Sequence, residues 1–204
     1  LTVFLPEGTR AKVTFQVQCY SSFLEVTTVT SGPDPDLDGY QLVVDEALAE
    51  PSNGPERQGT LMVGVAHELR AHGHLDASRE MAERAIEWFG RTELPSNAMV
   101  TVRRSLIAAL TLLNRNSESY EMAERLVASD PDRWLFQGDL GVEAARIGDR
   151  ALALEMSERL AEVTEPFTMG EPSYLRASIA AQLGDRKEAI RLLQQAVSRG
   201  FYQR

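Results

Sequence analysis

The sequence predicts a mainly α-helical protein, an array of about four helical hairpins preceded by a small antiparallel β segment. Three observations lead there. The hexapeptide Met81-Ala82-Glu83-Arg84-Ala85-Ile86 returns as Met122-Ala123-Glu124-Arg125-Leu126-Val127, and more loosely as Met156-Ser157-Glu158-Arg159-Leu160-Ala161. Leu192-Leu193-Gln194-Gln195-Ala196-Val197 keeps the apolar pattern, and the four starts lie 41, 34 and 36 residues apart, the period of stacked helical hairpins. Eight residues before each start stands a turn residue: Gly73, Asn114, Gly148 and Gly184. Third, residues 1–44 read as short β runs separated by turns, and Ala11 to Cys19 alternates with a period of two.

In chain order, Thr2 to Leu5 is strand-like and ends at the turn residues Pro6-Glu7-Gly8-Thr9. Ala11 to Cys19 alternates, with Val13, Phe15, Val17 and Cys19 on one face and Lys12, Thr14, Gln16 and Gln18 on the other. Phe23 to Thr30 is a third run and Tyr40 to Val44 a fourth. Four short strands leave edges that need covering. Residues 46–58 read as a linker, because Pro51, Asn53, Gly54 and Pro55 continue neither pattern. The helical part, residues 59–204, pairs Leu61–His72 with Asp76–Phe89 and Ser96–Leu113 with Ser117–Ala128. It then pairs Arg133–Ile147 with Asp149–Val163, and Ser173–Leu183 with Asp185–Ser198. Asp76, Ser117, Asp149 and Asp185 stand where an N-cap or first-turn acid belongs.

Two resemblances sharpen this reading. Val26-Thr27-Thr28-Val29-Thr30-Ser31-Gly32, Asp36-Leu37-Asp38-Gly39-Tyr40 and Val43-Val44-Asp45 resemble the small immunoglobulin-like or PEGA-like β modules of bacterial exported proteins. That resemblance implies an incomplete module over residues 1–45, and an exported or cell-surface location. The hairpins resemble tetratricopeptide repeats, which implies a TPR-like α-solenoid. In that family a small residue five positions after the turn lets the second helix approach the first; here those positions are Ser78, Ser119, Ala153 and Ala189. A second small residue seven before the turn corresponds to Ala66, Gly141 and Ala177, with Ile107 departing from the pattern in the second repeat. The chain opens at Leu1 and ends four residues beyond Gly200, and a fragment of a longer protein is expected.

Composition narrows the function. The 43% apolar and 25% charged content is ordinary for a globular protein, and the net charge of −9 with pI near 4.9 argues against a nucleic-acid footprint or a polybasic membrane patch. No apolar run approaches a bilayer span, so no membrane insertion is expected. Cys19 is the single cysteine and has no partner for an intrachain disulfide. No nucleophile elbow or phosphate-cradling glycine loop appears, so the chain reads as non-catalytic and without a cofactor.

Two groups of residues invite a metal reading. Asp34, Asp36, Asp38, Gly39 and Asp45 match the opening and twelfth positions of a calcium loop, although the flanks are strands and two prolines stiffen it. An acidic turn is the simpler account. His67, His72 and His74 are the only histidines; a helical zinc pair wants spacing of four, and His67 and His72 are five apart, which favours structural histidines near a helix end. The tetratricopeptide resemblance places the groove on the first helix of each hairpin, at His67, Arg70, Arg104, Thr111, Val142, Tyr174 and Ser178. The expected function is therefore a protein–protein interaction scaffold that holds a partner protein or peptide on that concave face. An accessory or sensor segment of a larger exported or signalling protein is the first alternative, and a calcium-dependent surface module using the Asp34–Asp38 loop is the second.

Overall fold

The computed structural model describes residues 11–19, 22–30, 44–45, 49, 54–94 and 98–201, the first two stretches by backbone alone. Strands β1 (Ala11–Cys19) and β2 (Ser22–Thr30) pair antiparallel, with Ala11 opposite Thr30 and Cys19 opposite Ser22. The strand expected over Thr2 to Leu5 and most of that over Tyr40 to Val44 lie outside the described residues. Val44 and Asp45 are helical, so the β patterning stops short of residue 45.

Eight helices follow among the described residues: α1 (Pro55–Ala71), α2 (Leu75–Arg91), α3 (Met99–Leu112), α4 (Asn116–Ser129), α5 (Trp134–Ile147), α6 (Arg150–Ala161), α7 (Glu171–Gln182) and α8 (Arg186–Ser198). Every expected helix is present. The chief correction is at the start of α1, which takes in Pro55 to Gln58, residues assigned above to the linker. Pro55 falls in the first turn, where its fixed φ suits a helix and its missing N–H would have had no intrahelical partner. The turn is docked as well as permitted, because the Trp88 indole donates to the Pro55 carbonyl at 2.8 Å.

The turn residues do what their positions require. Gly73, Asn114, Gly148 and Gly184 have φ of 88°, 58°, 91° and 82°, the left-handed conformation that closes a helix. After each of the three glycines the next N–H reaches back to a carbonyl of the helix: His74 to Leu69, Asp149 to Ala144 and Asp185 to Ala180, at 2.8, 2.9 and 2.9 Å. The following helix then starts at once. Asp149 and Asp185 cap α6 and α8 by accepting from Leu152 N and Glu188 N at 3.1 and 3.0 Å. Asp76 is a first-turn acid paired with Arg79, whereas Ser117 lies inside α4, whose cap position is Arg115.

The chain divides into two compact units at Leu113/Asn114, which assigns α3 to the first and α4 to the second. In the first unit, Met62, Ala66 and Leu69 of α1 pack with Met81, Ala82, Ala85 and Phe89 of α2 and with Val102, Ala109 and Leu112 of α3. Val44 joins this core with no exposure, and Asp45 pairs with Arg84 at 3.3 Å. In the second unit, Ala144, Ala145, Ala153, Leu160, Leu175 and Ile179 knit α5, α6 and α7 together, and Ala177, Ala180 and Leu192 seal α7 to α8. Most of these contacts are small residues against large ones, which lets helices approach closely without leaving voids.

The small positions of the repeat carry that close approach. Ser78 is buried and donates to the Ala66 carbonyl at 2.7 Å. Ala153 is fully buried. A Cβ at Gly141 would stand 2.7 Å from Ile179 Cδ1 and 2.8 Å from Met156 Cβ, so α5 meets α6 and α7 where only glycine fits without movement. On α8 the last copy of the repeat differs, because Ile190, Leu193 and Val197 share an exposed face.

Candidate functional site

Within each unit the first helices of the hairpins lie against one another. In the first unit α1 packs on α3; in the second, α5 packs on α7, whereas α6 and α8 are not closely packed. A hairpin stack whose first helices touch while its second helices stand apart bends toward the first helices. Within each unit the seven residues singled out above can therefore be taken in turn.

On α1, His67 and Arg70 are both exposed, one turn apart. The His67 pKa is lowered from its usual 6.5, first by the desolvation of surrounding protein and then by the Arg70 charge, with Glu68 acting the other way. Arg70 reaches across to α3 and donates to the Leu112 carbonyl at 3.4 Å, next to the helix end whose dipole favours a cation. Part of its donor fork is thus spent on structure. Arg104 and Thr111 are half-buried on α3.

In the second unit Val142 is half-buried among the apolar residues joining α5 to α7; it packs and offers little to a partner. Tyr174 stacks on Phe201, with ring centroids 4.2 Å apart and planes at 19°. Ser178 is half-buried and donates to the Tyr174 carbonyl at 3.1 Å, within α7. The first helices of the first unit thus present an imidazole and guanidinium groups, and α7 of the second carries a stacked aromatic pair. Side chains of these types make polar and π contacts.

Two features went unnoticed in the sequence. The first is a buried polar junction in which Ser119, fully buried on α4, bonds Glu143 Oε2 at 2.6 Å, with Arg146 Nε 3.5 Å from the same carboxylate. Ser119 was expected only as a small residue. The second is a shallow polar depression lined by Asp132, Trp134, Gln137, Arg159, Glu162 and Glu165, where the Trp134 indole donates to Glu165 at 2.9 Å. Small-molecule sites are deeper and mostly apolar, and this one is neither.

Metal chemistry finds no ready cluster. Among the described residues no group of three or more His, Cys, Asp and Glu could hold an ion. His72 ends α1, 3.9 Å from Glu68, and His74 precedes α2. Asp34, Asp36 and Asp38 lie outside the described residues, and Asp45 is engaged by Arg84. No helix of the described residues is long and apolar enough to cross a membrane.

No protein-family model and no curated protein matches the sequence. Solved structures of helical-repeat proteins do. YrrB, described as a TPR protein with an unusual peptide-binding site, is 16% identical at a TM-score of 0.36, over 80% of this chain and 75% of that one. A putative kinesin light chain of Podosopora anserina with nearly identical TPR-like repeats is 20% identical at 0.46, over 80% and 84%. MamA is 15% identical at 0.39, over 81% and 87%. This chain is similar to them as an array of helical hairpins, and scores of this size carry the comparison no further.

Proposed function

We propose that the chain is a non-catalytic interaction scaffold that receives a partner protein or peptide on its first helices, α1 and α3 in the first unit and α5 and α7 in the second. The observation that carries this reading is the packing of α5 on α7 while α6 and α8 stand apart, which turns the first helices inward. His67, Arg70, Arg104, Thr111, Tyr174 and Ser178 would contact the partner, and Val142 would support the floor. The guanidinium groups of the first unit favour carboxylates and the stacked aromatic pair of the second favours aromatic or cationic groups. Binding energy would come from side chains already held in place, because ordering them at the moment of binding costs affinity. Similarity to TPR proteins, one of them described as peptide-binding, is consistent with this reading and does not carry it.

Residues ahead of Val44 would form a β segment of immunoglobulin-like type, with Val44 and Asp45 belonging to the helical part. In that setting the helical part would be the accessory or sensor segment of a larger exported or signalling protein, the first alternative raised by the sequence. The calcium reading keeps Asp34, Asp36 and Asp38 as its ligands, but loses support from Asp45. Calcium that binds the folded chain raises its melting temperature; an unchanged melting temperature at millimolar calcium removes that alternative.

Affinity capture from a lysate of the source organism tests the main reading, with the full chain as bait. The control is Arg70→Ala with Arg104→Ala and Tyr174→Ala. Because Arg70 and Tyr174 also serve the fold, a second control places Thr111→Lys with Ser178→Lys. A protein retained by wild type and lost by a control with unchanged helical content and melting temperature supports the face. Equal retention by wild type and both folded controls contradicts it.

A further inference from the structure

On the other side of α7 from Ser178 lies a second polar site. Arg176 and Ser178 are two residues apart, and so point to nearly opposite sides of the helix. Arg176 lies in the gap between α6 and α8, half-buried, with Ser157 of α6 on one side and Glu188 and Arg191 of α8 near it. Its only hydrogen bond among the described residues is a long one, from Nε to Ser157 Oγ at 3.5 Å. One turn earlier on α7, the buried hydroxyl of Ser173 receives a similarly long bond, 3.5 Å, from Nη1 of Arg199 beyond the end of α8. Neither guanidinium has a carboxylate within ion-pair distance among the described residues. By contrast, Arg79, Arg91, Arg115, Arg125, Arg159 and Arg191 each have one three or four residues away.

The one acid that acts on Arg176 is already occupied. Glu188 is held by Arg191 through two bonds of 2.7 and 2.6 Å. Desolvation lowers the pKa of Arg176, Glu188 raises it, and Arg191 and Arg199 lower it further. A half-buried cation beside two other cations is costly unless something compensates it. The surrounding sequence follows the same trend, since residues 171–204 hold six Lys or Arg against three Asp or Glu in a chain of net charge −9.

We propose that the cleft floored by α7 between α6 and α8 binds a phosphoryl group, with Arg176 and Arg199 as its cationic ligands and the hydroxyls of Ser157 and Ser173 as its neutral partners. Two forked guanidinium donors from different helices suit a tetrahedral, doubly charged oxyanion better than a single planar carboxylate. The two long bonds leave both guanidiniums with donors to offer. Glu188 lies on the α8 side and is held by Arg191, which offsets its repulsion of an incoming anion. The site is independent of the partner face, because it uses the opposite side of α7.

The test is a titration of the full chain at constant ionic strength, read by the Arg side-chain Nε–Hε resonances and by melting temperature. The probes are inorganic phosphate, the peptide acetyl-Ala-phosphoSer-Ala-amide, and the same peptide without phosphate. Saturable shifts of Arg176 and Arg199 with phosphate or phosphopeptide, and none with the plain peptide, are expected. Phosphate and phosphopeptide binding equally would identify a free-anion site, and tighter phosphopeptide binding would identify a protein-borne source. Arg176→Gln and, separately, Arg199→Gln should each weaken binding tenfold or more, while Arg103→Gln on α3 leaves it unchanged. Should Arg176→Gln not fold, Arg199→Gln and Ser157→Ala carry the same comparison. Shifts that grow linearly without saturating, or folded variants that titrate like wild type, overturn the proposal.

Discussion

Replacing glycine by alanine should have opposite effects at two helical positions of this chain. At Gly64, exposed on α1, an added Cβ meets nothing within 4 Å. Only the backbone-entropy term changes there, and Gly64→Ala should stabilise by about 0.5–1 kcal/mol. At Gly141 the same gain is offset by contact with Ile179 Cδ1 at 2.7 Å and Met156 Cβ at 2.8 Å. The isoleucine tip can turn aside. The methionine Cβ is fixed to the α6 backbone and can move only if α6 moves, and overpacking of that kind costs about 1–3 kcal/mol. The net expectation for Gly141→Ala is a loss of about 1 kcal/mol, and the two variants should differ by roughly 2 kcal/mol. Urea denaturation followed by far-ultraviolet circular dichroism reads both, and melting temperatures should separate by about 4–8 °C for a chain of this size. If Gly141→Ala proves as stabilising as Gly64→Ala, α5 does not approach α6 and α7 as described. The packing argument for the second unit would then fail.

Other consequences follow from single contacts. Ser119→Ala removes a buried hydroxyl from Glu143, leaves the carboxylate short of a partner, and should cost about 1–3 kcal/mol in urea unfolding. Asp149→Ala and Asp185→Ala each delete an N-cap and should cost about 0.5–2 kcal/mol; the two should be close to additive, because they cap different helices. His67 titrates lower in the folded chain than in the unfolded one, whose value is near 6.5. The unfolded state therefore takes up the proton first, and stability should fall as pH drops below 6.5, until the folded imidazole titrates too. Comparing the urea midpoint of wild type and His67→Gln from pH 7.5 to 5 checks this, and the variant should show the shallower decline.

Much of the helical fold was legible because it is said four times. The turn residues and the small positions recur at fixed offsets, and a left-handed turn or a close helix approach tolerates few alternatives. What escaped the sequence was set by tertiary contact. Pro55 to Gln58 reads as linker until Trp88 is seen holding the Pro55 carbonyl. Val44 patterns as the end of a strand, yet it is buried among α1, α2 and α3. Ser119 satisfies the small-residue rule equally well whether or not its hydroxyl has work to do, and only the fold brings Glu143 beside it. Repeat offsets single out residues on the first helices, but not the contacts those residues make. Arg70 ties α1 to α3, Tyr174 pairs with Phe201, and Arg176, on the far side of α7, carried no repeat signature at all.

The most direct test of the interaction reading is hydrogen–deuterium exchange of the full chain, with and without a captured partner. Slowed exchange concentrated in α1, α3, α5 and α7, with α2, α6 and α8 unchanged, is the predicted result. Slowing confined to the second helices, or to the β segment, would contradict it and place the partner on another surface.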